Sequence, residues 1–176
     1  DTVVVTAARG AEKLSTATRT TVVSSAELLT SGGGALDDVL RNTPGFSLFR
    51  RSSSRASNPT TQGVTLRGVS GSGSSRTLVL ADGLPLNDAF GSWVYWNRVP
   101  QAAVERVEIV RGTTGDLYGA DALGGVVQLL TFQPTQRRAR LNADWGSQGT
   151  ARFSGFASEQ RGPWSGLGAK IGRAHV

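Results

Sequence analysis

The chain has 176 residues, and 38% of them are hydrophobic, which is enough for one compact domain and a remainder. It has no cysteine, which excludes disulfide frameworks and thiolate metal sites, and no run of about 18 apolar residues, which excludes a transmembrane helix. The net charge of +6 arises almost entirely after residue 135, because residues 1–135 carry 12 Lys and Arg against 11 Asp and Glu. Residues 1–135 therefore lack the basic character of a nucleic-acid-binding domain, and no nucleic-acid partner is expected.

The predicted elements begin with a β-prone stretch and two short helices. Residues 1–7 are rich in β-branched side chains, and a short strand is predicted at residues 21–23. Ser24 and Glu27 have the spacing of a capping box and predict a helix that ends at the glycines of residues 32–34. A second helix ends before Pro44, and its apolar face consists of Leu36, Val39 and Leu40.

From residue 46 to residue 132 the pattern is that of strands joined by loops. The pair Asp82-Gly83 is typical of a hairpin turn. Residues 50–62 are predicted to form an exposed loop, and residues 86–98 form a long loop with four aromatic side chains. Strands are predicted at residues 46–49, 64–67, 77–80, 104–110 and 126–130.

The pattern changes after Pro134. Leu141, Ala143 and Trp145 alternate with polar residues, and a second alternating stretch begins at Ala151. Segments of about ten residues with this alternation, joined by tight turns, are typical of a membrane β-barrel. A soluble β-meander has the same pattern, so the alternation by itself leaves both possibilities open.

Six short motifs follow one another along the first 127 residues. They are Asp-Thr-Val-Val-Val-Thr-Ala at 1–7, Asp-Val-Leu-Arg-Asn-Thr-Pro-Gly at 38–45, Leu-Arg-Gly at 66–68, Val-Leu-Ala-Asp-Gly-Leu-Pro-Leu-Asn at 79–87, Val-Glu-Arg-Val-Glu-Ile-Val-Arg-Gly at 104–112 and Leu-Tyr-Gly-Ala-Asp-Ala-Leu-Gly-Gly-Val-Val at 117–127. In this order and at this spacing they resemble the plug domain of TonB-dependent outer-membrane receptors. The plug is similar to the short type found in vitamin B12 transporters and siderophore receptors.

The resemblance implies an α+β fold. It predicts a small plug domain with a mixed, mainly four-stranded sheet and short helices, followed by two or three strands of an incomplete antiparallel transmembrane β-barrel. In the family, the plug lies inside a closed barrel of about 22 strands. We therefore expect a TonB box at residues 1–7, the plug at 8–132 and the first barrel strands at 133–170. Residues 171–176 resemble the translation of a common sequencing adapter and are expected to be a non-native tail; the alternative is a native third strand.

The resemblance also implies a function. The plug would gate the barrel during energised uptake of a scarce nutrient of the ferric siderophore or cobalamin class. The implied location is the outer membrane, with the N-terminus in the periplasm. The implied partners are the periplasmic C-terminal domain of TonB, the protein's own barrel, and a metal-chelate or cobalamin-type substrate. The alternative is a free-standing periplasmic interaction domain without a barrel.

Two groups of site residues connect the plug to its partners. The expected TonB box comprises Asp1, Thr2, Val3, Val4, Val5, Thr6 and Ala7, which would add as a strand to a sheet of TonB. The alternative for this segment is an ordinary edge strand. Arg67 and Arg111 match the arginines that lock the plug to glutamates of the barrel wall, a role that suits the planar guanidinium group. The alternative is that each is a surface arginine that closes a strand.

Two loops are expected to contact the substrate, and we call them loop A (residues 50–58) and loop B (residues 87–96). In loop A, Arg50, Arg51 and Arg55 could contact an anionic ligand. In loop B, the side chains that could stack on a flat or apolar ligand are Phe90, Trp93, Tyr95 and Trp96. It is equally open that the aromatic side chains pack against the barrel wall and that the arginines are solvated.

No catalytic site, metal site or cofactor is predicted. The single histidine, His175, lies in the expected non-native tail, so nucleophilic triads and most zinc sites lack their residues. No P-loop is present. Asp37 and Asp38 are adjacent and are expected to serve the first turn of their helix. We therefore expect a protein that is not an enzyme.

Overall fold

The computed structural model describes residues 19–31, 35–49, 54, 63–66, 68, 75–112, 118–146 and 150–175. In these ranges the α-helices are α1 (Ser25–Thr30) and α2 (Leu36–Leu40), and short 3₁₀ helices occur at Trp96–Arg98, Gln101–Ala103 and Ala120–Ala122. The strands are β1 (Arg19–Ser24), β2 (Phe46–Phe49), β3 (Gly63–Leu66), β4 (Thr77–Ala81), β5 (Leu84–Pro85), β6 (Val104–Arg111), β7 (Gly125–Thr131), β8 (Arg138–Gly146), β9 (Thr150–Arg161) and β10 (Trp164–His175).

Five strands form one mixed sheet in the order β1-β6-β7-β4-β5. Strands β4 and β7 are parallel, and the other neighbours are antiparallel. Because β5 has only two residues, the sheet consists mainly of four strands. Strands β2 and β3 form a separate antiparallel pair. The predicted α+β fold is confirmed.

The junction between β1 and α1 is a capping box, as the sequence predicts. The Glu27 backbone N–H donates to the Ser24 hydroxyl at 3.3 Å, and the Ser24 backbone N–H donates to the Glu27 carboxylate at 2.7 Å. The backbone N–H of Ser24, and then its hydroxyl, lower the pKa of Glu27 from its usual 4.5. The chain therefore turns from strand to helix without leaving these two polar groups unsatisfied.

Glycine is required where β7 begins. Gly125 has a φ of +126°, and a Cβ atom at this position would lie 2.3 Å from the carbonyl oxygen of Val110 on β6. The preceding Gly124 donates its backbone N–H to the carbonyl oxygen of Arg76 at 2.7 Å. The glycine pair therefore brings β7 close to β6 on one side and to the chain entering β4 on the other.

The turn between β4 and β5 has the geometry that Asp82-Gly83 predicts. Both residues have positive φ angles, 47° and 84°, which fits the type I′ turn of a tight hairpin. The Asp82 carboxylate also accepts hydrogen bonds from the backbone N–H of Thr131 at 2.9 Å and from its hydroxyl at 2.7 Å. The hairpin turn is thereby attached to the end of β7.

The main core covers one face of the five-stranded sheet. Helices α1 and α2 and the β2–β3 pair pack on this face, and the fully buried side chains there include Leu40, Val64, Leu66, Val79, Val107, Ile109, Val127 and Leu129. Alternation along the strands places a smaller cluster on the opposite face, with Leu78, Leu80, Val110, Ala122 and Val126. The sheet is therefore covered on both faces near its centre.

Strands β8, β9 and β10 form a second, antiparallel sheet. Leu141 and Trp145 on β8 are 87% and 77% exposed. Phe156, on the opposite face of β9, is buried against Phe132 with ring centroids 5.5 Å apart, and Ala102 and Ala103 complete this cluster. The expected barrel strands therefore form a sheet that contacts residues 19–132, which we call the main domain.

Residues 171–175, in the expected tail, pair with β9 in regular register.

Five of the six strands predicted before residue 133 differ by one or two residues from their predictions, and β4, β6 and β7 each extend one residue beyond a predicted end. Strand β1 begins at Arg19 rather than residue 21, and β3 spans Gly63–Leu66 rather than 64–67. None of the helices in the described ranges is long and apolar enough for a membrane span.

Candidate functional site

Loop B is held against the edge of β4 by the side chain of Asn87. The Asn87 Oδ1 atom accepts the backbone N–H of Val79 at 2.7 Å, and its Nδ2 atom donates to the carbonyl oxygen of Thr77 at 3.2 Å. Asn87 also pairs with Val94 through an isolated antiparallel bridge. The base of loop B is therefore closed and attached to the sheet.

The tip of loop B is ordered by Asp88. Its Oδ1 atom accepts the backbone N–H groups of Phe90 at 3.0 Å and Gly91 at 2.9 Å, while its own N–H donates to the carbonyl oxygen of Trp93 at 2.7 Å. A Cβ atom at Gly91 would lie 2.5 Å from the Trp93 ring, so glycine allows that ring to pack on the backbone. Phe90 is 98% exposed at this tip. The Phe90 ring is therefore accessible on a loop whose backbone is fixed by hydrogen bonds.

Alternation separates the aromatic side chains of loop B into two groups. Val94 and Trp96 point into the core, so Trp93 and Tyr95 point to the other side and are half-buried. The guanidinium carbon of the exposed Arg98 lies 4.8 Å from the centroid of the Tyr95 ring. This side of loop B therefore offers aromatic faces next to a positive charge.

Trp96 lies in a different environment from the other three predicted aromatic contacts. It is 2% exposed, and its ring meets Phe46 edge to face at a centroid distance of 6.3 Å. Its indole N–H is buried without a hydrogen-bond partner among the described residues. In the structure Trp96 contributes to the core beneath loop B, and its predicted contact with a substrate stays a prediction.

Loop A is described only at Ser54. This residue is buried, although the sequence predicts an exposed loop here, because its hydroxyl donates to Oδ1 of the fully buried Asp37 at 2.5 Å. The Asn97 side chain donates to the Ser54 carbonyl oxygen at 3.1 Å. Loop A is therefore joined to α2 and to the residue that follows loop B. Arg50, Arg51 and Arg55 lie outside the described residues.

Arg111 connects two parts of the main domain. Its Nη1 atom donates to the Thr21 hydroxyl on β1, and its Nη2 atom donates to the carbonyl oxygen of Pro44, both at 2.7 Å. The side chain thus joins the edge strand to the turn after α2, and its predicted role as a lock to the barrel stays a prediction. Arg67 and the predicted TonB box at residues 1–7 lie outside the described residues.

A buried carboxylate on β6 could not be expected from the sequence. Glu108 is fully buried, and its carboxylate accepts from Nε of Arg106 at 2.9 Å. Its neighbour across the sheet is Gln128 on β7, which is also buried. Arg106 and Glu108 alternate with Val107 and Ile109, and no local pattern indicates that the side of β6 with the polar residues is covered.

A cavity of about 390 Å³ lies between the main domain and the β8–β10 sheet. The main domain lines it with Leu36, Asp37, Trp96 and Val99, among others. The sheet lines it with four polar residues, Asn142, Asp144, Arg152 and Ser154, and with the apolar Leu141, Ala143 and Ile171. The polar face of the sheet is therefore turned toward the main domain. Among the described residues, no three His, Cys, Asp or Glu side chains are grouped as a metal site would require.

Comparison with known proteins identifies the family. Residues 12–126 match the model of the TonB-dependent receptor plug domain. The vitamin B12 transporter BtuB of Vibrio vulnificus (strain CMCP6) is 36% identical over 158 residues, which cover 88% of this chain and 25% of the relative. The chain thus spans about a quarter of the length of the curated relatives it matches.

Solved structures show the same fold. The ferric yersiniabactin uptake receptor FyuA of Yersinia pestis is 26% identical, with a TM-score of 0.64 over 82% of this chain and 22% of that receptor. The ferric-catecholate import receptor Fiu of E. coli K12, at 22% identity, has a TM-score of 0.61 over 90% of this chain and 21% of its own, and it supports the fold alone. The chain belongs to the family of TonB-dependent receptor plug domains.

Proposed function

We propose that this chain is the plug and the first wall strands of an outer-membrane receptor that imports a scarce nutrient with energy supplied through TonB. The observation that carries the proposal is the two-faced β8–β10 sheet. Its polar residues Asn142, Asp144 and Ser154 line the cavity against the plug. Strand alternation places Leu141 and Trp145 on the opposite face, where they are 87% and 77% exposed, although Leu141 also borders the cavity. A barrel wall needs this arrangement, with lipid on one side and the plug on the other.

Loop B supports a role in substrate binding. Its ordered tip presents Phe90, and its outer side presents Trp93, Tyr95 and the charge of Arg98. We infer that these side chains contact the substrate together with Arg50, Arg51 and Arg55 of loop A, while Trp96 supports loop B from below. Aromatic faces beside cationic groups suit a ferric siderophore with anionic aromatic chelating groups, and cobalamin is the second substrate class.

Energy coupling is assigned to the TonB box. Residues 8–18, a mainly polar segment, separate residues 1–7 from β1 in the sequence. Residues 2–6, Thr-Val-Val-Val-Thr, have high strand propensity. We infer that this segment adds to a sheet of TonB through main-chain hydrogen bonds. Arg67 and Arg111 are proposed to lock the plug to glutamates of the barrel. The relatives BtuB and FyuA are a transporter and an uptake receptor, so the comparisons do not support a free-standing domain without a barrel.

Titration of the 176-residue chain with the periplasmic C-terminal domain of TonB tests the coupling role. We expect saturable binding that Val4→Pro weakens by at least about tenfold, because proline removes a main-chain donor and restricts the backbone. Ala11→Pro, placed between the box and β1, is the matched control and should bind as the unaltered chain does. Equal loss in both variants, or no binding by the unaltered chain, would refute the assignment of residues 1–7.

A further inference from the structure

Three residues from separate parts of the plug form one hydrogen-bonded group, which we call the Ser54 anchor. Asp37 on α2 accepts the Ser54 hydroxyl through Oδ1, and Asn97 donates to the Ser54 carbonyl oxygen at 3.1 Å. Ser54 lies near the middle of loop A, and Asn97 directly follows loop B. The anchor therefore joins Ser54 of loop A to α2 and to the residue that follows loop B.

Helix α2 is a firm base for this group. Leu36, Val39 and Leu40 of the helix are all buried in the main core, and Asp37 itself has no exposed surface. The helix is further tied to β1, because Arg111 bonds both the Pro44 carbonyl oxygen after α2 and the Thr21 hydroxyl. A loop attached to Asp37 is consequently attached to the packed part of the plug rather than to another loop.

We propose that Asp37 is a positioning residue that holds loops A and B as one preorganised surface. Asp37 holds the Ser54 hydroxyl, and Asn97 holds the Ser54 carbonyl oxygen beside the end of loop B. None of the three residues needs to touch the substrate. Their effect is to lower the cost of ordering the loops when a ligand binds, which is how preorganisation raises affinity. The proposal rests on the assignment of these loops to substrate binding.

The chemistry of the anchor selects the variants that test it. Ser54→Ala removes the donor and leaves the buried Asp37 oxygen without that hydrogen bond, whereas Ser54→Thr keeps a hydroxyl at the same position. Asn97→Asp keeps the size of the side chain but replaces the amide donor with an acceptor that faces the Ser54 carbonyl oxygen. Ser47→Ala, at an exposed serine of β2, is the matched control.

Hydrogen exchange of the 176-residue chain measures the anchor directly, without a ligand. We expect Ser54→Ala and Asn97→Asp to accelerate amide exchange by about tenfold or more in peptides that contain residue 54 or residues 94–99. Amides of β6 and β7 should keep their rates, Ser54→Thr should restore slow exchange, and Ser47→Ala should change nothing. Unchanged exchange around residue 54, or an equal acceleration in β6 and β7 that indicates global destabilisation, would overturn the proposal.

A second measurement separates the anchor from the proposed function. In the intact receptor, the affinity for ferric enterobactin and for cyanocobalamin is measured with and without Ser54→Ala. The probe that binds should do so about three- to tenfold more weakly in the variant and regain its affinity with Ser54→Thr. A receptor that binds neither probe would count against the proposed substrate classes only, because the exchange experiment decides the anchor by itself.

Discussion

Replacing Gly125 with alanine should strongly destabilise the plug. The residue has a φ of +126°, and the added Cβ atom would lie 2.3 Å from the Val110 carbonyl oxygen and 2.9 Å from Cδ1 of Leu66. The leucine can rotate, but the carbonyl belongs to the backbone of β6, so β6 and β7 must separate at this end. Backbone strain of about 1–3 kcal/mol and overpacking of about 1–3 kcal/mol together predict a loss of about 2–6 kcal/mol.

Two other glycines separate the sources of this loss. Gly83 has a φ of +84° but open space around its Cβ position, so Gly83→Ala should cost about 1 kcal/mol from strain alone. Gly166 has open space and no positive φ, so Gly166→Ala should change stability by less than about 0.5 kcal/mol. Urea unfolding of the 176-residue chain, followed by tryptophan fluorescence, should therefore give Gly125→Ala a much lower free energy of unfolding than Gly83→Ala or Gly166→Ala. A Gly125→Ala variant as stable as Gly166→Ala would refute the reasoning.

Three further predictions concern side chains that hold single elements in place. Arg111→Lys should lower the free energy of unfolding by about 1–3 kcal/mol in urea melts, because one ammonium group cannot reach both acceptors of the guanidinium. Asp88→Ala should lower the NMR order parameters of the Phe90 and Gly91 amides while the melting temperature stays within a few degrees; unchanged order parameters would contradict the role of Asp88. Above pH 4.5 the wild type should be slightly more stable than Glu27→Gln. This difference in the free energy of unfolding should disappear as the pH falls through the lowered pKa of Glu27 in the folded state. A difference that persists in acid would contradict the capping box.

Elements with local signals were predicted closely from the sequence. The Ser24–Glu27 capping box and the Asp82-Gly83 turn depend on contacts within a few residues, and the structure has both. The strand at residues 46–49 was predicted from its own sequence pattern, although its partner β3 lies 14 to 20 residues further along the chain. The mixed sheet followed from the motif series rather than from propensity, because the parallel pairing of β4 with β7 joins residues about 48 apart in the chain.

Burial that results from tertiary packing could not be predicted from the sequence. Glu108 is a charged residue in an alternating strand, and only the fold shows that its side of the sheet is closed. Ser54 lies in a polar, basic stretch, and its burial results from Asp37, which is 17 residues away. Trp96 is one of four aromatic residues in one loop, and the backbone path of loop B decides that it, and not Phe90, enters the core.

The central claim is that this plug serves import driven through TonB, and uptake by the intact receptor tests it most directly. Cells that express the receptor are given labelled cyanocobalamin or ferric enterobactin, with and without TonB, and with and without Val4→Pro. We predict that one probe accumulates only when TonB is present, and that Val4→Pro abolishes its accumulation while surface binding is retained. Accumulation that continues without TonB, or that is unaffected by Val4→Pro, would contradict the account.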